Sequence, residues 1–324
     1  MPKLFSRCVA AGFTATLLAC ANPAAASTLV QQHCASPAPL SVAQQDRLLR
    51  FAAFIKSALD NTGQTVAIVA RSGLNLSRFN LRYSHGGISL QASPNAPWSV
   101  RQLYYDCDTA QARLFDQGIS GFVLGSDNPD LGFFSALLLP TAAANALLAQ
   151  TLDKAKALQA LHGRYSANAH AWSLRYQNCN QWLVETLALA WGASQASAST
   201  ASASTASSFT APTIIEQPPR AAAQSWLRRQ GYQPQVLAVN NRLLMWVASA
   251  LPWLHEDDHP SADLGAGLYR VSMPASVEAF VRQREPAAQR LEFCFNATQM
   301  VLREGWVPLD EECNAAPGDN VIIF

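Results

Sequence analysis

The sequence predicts an α+β fold, in which a small antiparallel sheet carries a helix packed on one face and a C-terminal extension follows. Three observations support this. Apolar or alternating runs of strand length occur at residues 65–70, 84–91, 98–105 and 133–139. Two of them are joined by the turn-forming segment Ser93-Pro94-Asn95-Ala96-Pro97. Longer stretches with helical spacing lie between and around the strands, near 41–60, 141–161 and 179–191.

In chain order, the first residues have the three zones of an export signal. Lys3 and Arg7 precede an apolar stretch at 8–21, Asn22-Pro23 breaks it, and Ala24-Ala25-Ala26 offers small residues for cleavage. The 14-residue apolar stretch is shorter than the ~20 residues needed to span a bilayer, so no transmembrane span is expected. The alternative is a lipid anchor at Cys20, preceded by Leu17-Leu18-Ala19. Residues 41–60 then form a helix capped by Ser41, with an apolar stripe of Leu48, Leu49, Phe51, Phe54, Ile55 and Leu59, stopped by Asn61-Thr62-Gly63. A loop rich in Ser, Asn and Arg occupies 71–82, and Pro140 ends the strand at 133–139. An extended piece at 172–177 leads into a helix starting near Cys179.

Residues 193–212 are an Ala/Ser/Thr-rich stretch with no charge, which cannot assemble a core and reads as a disordered insertion. It divides the exported chain into a core at 27–192 and a C-terminal part at 213–324. In the latter, helices are expected at 221–229 and 274–285, a buried or partner-facing apolar run at 243–254, and strands between Cys294 and Cys313.

Removing residues 1–26 takes Lys3 and Arg7 with it and leaves 21 basic against 22 acidic side chains. No basic stripe remains for nucleic acid or an anionic membrane. Charged residues make up only 14% of the chain, against a usual ~25%. The exported part carries Cys34, Cys107, Cys179, Cys294 and Cys313, an odd number, so at least one thiol has no partner within the chain. Proximity along the chain favours Cys34–Cys107 and Cys294–Cys313, leaving Cys179 free either as a buried small side chain or as a working thiol.

His85 lies at the start of a predicted strand in Ser84-His85-Gly86-Gly87-Ile88, and Cys179 at a predicted helix N-terminus in Asn178-Cys179-Asn180. A helix N-terminus stabilises a thiolate, and an imidazole can move the proton that nucleophilic attack releases. The same residues also read as a turn histidine and a buried cysteine with capping asparagines. His255-Glu256-Asp257-Asp258-His259 has metal-ligand letters, but Pro252 and Pro260 oppose a helix through it and favour an exposed polar turn. His162 and His170 read as surface residues. No cofactor-binding fingerprint and no metal site is expected, and nothing in the chain specifies an oligomeric state.

The run VAIVARSGLNLSRFNLRYSHGGISL and, far downstream, RYQNCNQWLVE resemble the secreted bacterial family called domain of unknown function 2145. A His-x-Gly-Ile strand followed by a helix-initial cysteine is similar to the permuted papain-like superfamily of cell-wall amidases, peptidases and lipid acyltransferases. The resemblance implies a permuted papain-like core with Cys179 as nucleophile and His85 as base and acid. It places an orienting residue on the next strand, where Gln102 is the best match; relatives often carry a histidine or acid there. Period-two alternation sets Val100, Gln102 and Tyr104 on one face, and Ser99, Arg101 and Leu103 on the other. The expected function is periplasmic or secreted cysteine hydrolysis of an amide or ester bond in a peptidoglycan peptide or lipid. The rival readings are a non-catalytic envelope binding or assembly protein, and a metallohydrolase using His255 and His259.

Overall fold

A computed structural model of the chain describes residues 39–193, 218–239 and 251–324. The expected export signal with Cys20, Cys34, residues 194–212 of the expected insertion and residues 243–250 of the apolar run lie outside the described residues. Helix α1, Val42–Asp60, starts at a reciprocal cap: Ser41 Oγ accepts from the Gln44 N–H, and Gln44 Oε1 accepts from the Ser41 N–H. Leu48, Phe51, Phe54, Ile55 and Leu59 of its stripe are buried, whereas Leu49 points to solvent and is 52% exposed.

Eight strands form one sheet. They are β1 (Val66–Arg71), β2 (His85–Leu90), β3 (Ser99–Asp106), β4 (Gln111–Gln117), β5 (Gly132–Leu138), β8 (Gln289–Phe295), β9 (Gln299–Glu304) and β10 (Asn320–Ile323). Their order across the sheet is β10-β9-β8-β5-β1-β2-β3-β4, and every pairing is antiparallel. A separate antiparallel ribbon joins β6 (Gln235–Ala238) to β7 (Leu268–Val271).

The sheet is therefore larger than the small one the sequence suggests, for two reasons. Strand β4 carries Gln111, Arg113, Asp116 and Gln117 at the sheet edge, so its apolar alternation is too weak to read. At the other side, β8 pairs with β5 over Gly132–Leu138. The C-terminal region thus continues the central sheet rather than extending beyond it.

Helices cover both faces. One face of the sheet packs α1 and α2 (Ile119–Leu124) through Phe51, Ile55, Phe122, Val69, Val100, Phe134 and Phe293. The other packs α3 (Thr141–Leu152), α5 (Cys179–Ala188), α6 (Pro219–Arg229) and α8 (Pro274–Arg284) through Leu147, Trp182, Leu183, Ile68, Ile88 and Phe280. Strand β1 is consequently buried along its whole length, the condition under which a strand reads as a continuous apolar run. The helix expected over 141–161 is two: Asp153 is extended (φ −73°, ψ 113°) and its carboxylate caps α4 (Lys154–Gln159). The short α7 (Ser261–Gly265) follows Pro260.

Beneath α5 lies a buried ion pair. Glu185 accepts from Arg220 Nε at 2.7 Å, from Gln177 Nε2 at 2.7 Å and from Gln224 Nε2 at 2.7 Å. These bonds lock α6 and the 173–177 segment to α5. Glu185→Leu leaves the Arg220 guanidinium buried without its counter-charge, and should cost about 3–5 kcal/mol in urea unfolding. Glu185→Leu combined with Arg220→Leu should recover part of that loss; a double variant less stable than the single one would refute the ion-pair account.

Candidate active site

Helix α5 begins where Asn178 turns extended (φ −105°, ψ 174°) and its side-chain oxygen accepts from the Gln181 N–H at 2.7 Å. That cap places Cys179 at the first helical position, 5% exposed, against strand β2. The contact is with Gly86: a Cβ built there would lie 3.0 Å from Leu183 Cδ2 and 3.1 Å from Asn180 Oδ1. Asn180 Nδ2 also donates to the Ser84 carbonyl at 3.2 Å, tying the helix start to the residue before His85.

The thiol meets backbone N–H groups of Gly86, Asn180 and Cys179 itself. Burial nevertheless dominates and pushes the thiol up to about 11, against the lowering by those N–H groups and by the Arg71 charge. The sequence argument from the helix N-terminus had the opposite sign, because it counts the local dipole and not the tertiary burial.

His85 is the next residue back from Gly86, and alternation sends its side chain to the opposite layer. Its ring lies 5.8 Å from Phe122 and 4.9 Å from Tyr104, and its Nε2 is hydrogen-bonded to Gln102 Oε1. Gln102 Nε2 in turn donates to Gln117 Oε1 at 2.8 Å. With the Gln102 amide so oriented, His85 Nε2 carries the proton and Nδ1 keeps its lone pair. Burial, reinforced by the Arg71 charge, holds the imidazole down at about 3, and the Gln102 bond only partly opposes this. No hydrogen bond joins the thiol and the imidazole. The structure thus brings His85 and Gln102 together, and brings Cys179 to the peptide next to His85. At neutral pH both groups are uncharged.

Arg101 turns to the other side of β3, where it pairs with Asp116. Sequence reasoning missed Arg71, at the end of β1 opposite His85, and Gln117, on the unread strand β4. It also missed Asn180 as more than a cap.

The His255–His259 segment is structural. His255 stacks on Tyr176 with ring centroids 4.3 Å apart, and His259 Nε2 meets the Asn168 carbonyl at 2.8 Å. The expected exposed turn is exposed only in part: Asp257 and Pro260 face solvent, whereas the Asp258 side chain is 2% exposed and accepts from the His170 N–H. His170, expected at the surface, is buried as well. Among the described residues no group of three or more His, Cys, Asp or Glu could hold a metal ion, and no helix is long and apolar enough to cross a membrane. Cys294 and Cys313 form a disulfide, Cys107 is also disulfide-bonded, and Cys179 is free.

The profile of a bacterial family described as "Uncharacterized protein conserved in bacteria (DUF2145)" matches residues 58–281. No curated protein and no solved structure matches the chain. The matched segment includes Arg71, His85, Gln102 and Cys179 and stops before β8, although β8, β9 and β10 complete the sheet.

The imidazole supplies a pH dependence of stability. His85 binds its proton near 3 when folded and near its ordinary 6.5 when unfolded, so stability is lost as pH falls from about 6.5 toward 3. His85→Gln should flatten that acid limb in unfolding measured between pH 7 and 4. An unchanged limb would show that His85 is not the group responsible.

Proposed function

The chain belongs to this family of bacterial proteins, and on that premise we propose that it is an exported cysteine hydrolase or acyltransferase acting on an amide or ester bond of an envelope substrate. The observation that carries the reading is the sulfur of Cys179 set among the backbone N–H groups of Gly86, Asn180 and Cys179. It sits one peptide from a histidine whose tautomer is fixed by Gln102. The export signal read at residues 1–26 supplies the compartment, and peptidoglycan peptides or lipids are the substrates that compartment offers.

Because thiol and imidazole rest uncharged, the first step is general-base catalysis rather than attack by a preformed thiolate. Cys179 Sγ adds to the substrate carbonyl while its proton is relayed through water past the Gly86 peptide to His85 Nδ1. The developing oxyanion is met by the N–H groups at the α5 start. Collapse expels the leaving group, which takes the proton from Nδ1–H and leaves an acyl-thioester on Cys179. Water then releases the acyl group in hydrolysis, or a second nucleophile takes it in transfer. Gln102 orients the ring but adds no charge to stabilise an imidazolium.

That same neutrality favours the second reading, a non-catalytic envelope binding protein on a papain-like scaffold. Alkylation of the folded protein separates the two. Cys179 should react with iodoacetamide natively, at a rate that climbs with pH toward about 11, since only the thiolate reacts. Cys179→Ser should keep the fold and abolish both labelling and hydrolysis. His85→Ala should abolish hydrolysis but leave the pH profile of labelling in place. Gln102→Ala should cost less than either, about 1 kcal/mol of activation energy. Labelling that appears only on unfolding would favour the binding protein.

A further inference from the structure

Among the described residues four arginines are buried: Arg71, Arg101, Arg220 and Arg290, each at most 5% exposed. Three of them meet carboxylates: Arg101 meets Asp116, Arg220 meets Glu185, and Arg290 meets Glu278 and Glu292. Arg71 meets none. Its guanidinium donates to the Ser72 carbonyl at 3.1 Å, to the Gly125 carbonyl and to the Tyr104 hydroxyl at 3.1 Å, all neutral, and stacks over Phe122. Its Nε has no hydrogen-bond partner. A buried cation without a counter-charge is costly to fold around, and an unmade hydrogen bond adds to that cost. The two together single out Arg71, because an unpartnered Nε alone also occurs at Arg47, Arg284 and Arg290.

On the Nε/Nη2 edge the Nε–H is unpaired, and Nη2 gives one of its two N–H groups to the Tyr104 hydroxyl. There Nε–H and the second Nη2–H lie parallel, matching the two oxygens of a carboxylate. Residue 125 must be glycine for the guanidinium to keep this place: a Cβ there would lie 2.4 Å from Nη2, 2.8 Å from Cζ and 3.2 Å from Nε, and would displace it. Tyr104, 37% exposed, accepts from Nη2 through its hydroxyl oxygen and keeps its own O–H as a donor. In the sheet register Arg71 stands opposite His85, and its charge acts on both His85 and Cys179.

The geometry points to Arg71 as the recognition site for a free carboxylate, carried by a peptide or acylated amino acid whose scissile bond lies beside Cys179. The fork can hold a carboxylate or a phosphate bidentately, but a carboxylate is satisfied by two donors, whereas a phosphate would leave further charged oxygens buried near the Ser72 and Gly125 carbonyls. Placing the carboxylate at the substrate of Cys179 rests on the reading of that thiol as the nucleophile. The anion site itself is measurable without it.

The test uses the full mature chain carrying Cys179→Ala, so that no turnover interferes. N-acetylglycine, N-acetylglycinamide and inorganic phosphate are titrated at equal ionic strength, with thermal unfolding and calorimetry as readouts. N-acetylglycine should raise the melting temperature saturably, the amide should not, and phosphate should bind at least tenfold more weakly. Arg71→Met should abolish the shift. Gly125→Ala should abolish it too while keeping the cation, because the backbone there (φ −77°, ψ 12°) accepts alanine and only the added Cβ intrudes. The assignment is overturned if the amide stabilises as well as the acid, if phosphate binds better, or if either folded variant keeps the shift. A carboxylate site in a protein whose native Cys179 never alkylates would leave Arg71 standing as an anion binder and remove the catalytic reading. A reactive Cys179 without carboxylate selectivity would overturn this proposal alone.

Discussion

Helix α5 can lie as close to β2 as it does because residue 86 presents no side chain to it. Leu183 and Asn180 occupy the volume a Cβ would claim, and the sulfur of Cys179 comes within reach of the Gly86 N–H as a result. That approach sets the geometry of everything nearby. In a strand, neighbouring side chains face opposite layers. Once Gly86 faces α5, His85 and Gly87 must face α1 and α2, where His85 finds Gln102 and Phe122. The backbone of β2 thus separates the Cys179 thiol and the His85 imidazole into adjoining compartments. Asn180, bonded to the Ser84 carbonyl, fixes the helix start against the strand.

Burial on both faces sets the electrostatics. A sheet covered by helices on both sides leaves little water near His85 and Cys179, and desolvation is the largest influence on each. The chain answers burial elsewhere by pairing charges, as Glu185 with Arg220 and Glu292 with Arg82 and Arg290. Glu292 also takes the Tyr83 hydroxyl and the Leu309 N–H. It thereby anchors the segment before β2 to the C-terminal strands, so the site region depends on residues beyond the matched family segment. At Arg71 the pairing is missing.

Much of this was legible in the sequence wherever the signal was local. Ser41 and Gln44 announce the start of α1, Asn178 announces α5, and the run from Val66 to Ala70 reads as a buried strand because it is one. Alternation along β3 was enough to put Gln102 and Arg101 on opposite faces, and the family resemblance singled out Gln102 as the partner of His85. Features set by distant residues were not legible. Strand β4 offers Gln111 and Arg113 to solvent and takes its place only through pairing with β3. Arg71, at a strand end beside Ser72 and Gly73, looks like the start of a polar loop. Asp258 and His259 look like a solvated turn, yet their partners Asn168 and His170 lie some ninety positions upstream. The thiol pKa fails for the same reason, since a dipole can be read from a helix start but burial requires the whole fold.

The neutral resting pair and the unpaired cation are consistent with each other. Arg71 lowers the imidazole and the thiol together, so it does not by itself move the proton from one to the other. A carboxylate seated on its Nε/Nη2 edge would offset that charge and let both values rise. The imidazole would become the better base while the thiol stayed protonated until attack. The ligand that satisfies Arg71 would then also prepare His85 for proton transfer, and an acyl substrate lacking the carboxylate would meet a weaker base. On this account selectivity and activation arise from one electrostatic event. Gln102 suits it because, adding no charge of its own, it leaves the basicity of His85 to be governed by whether Arg71 is paired.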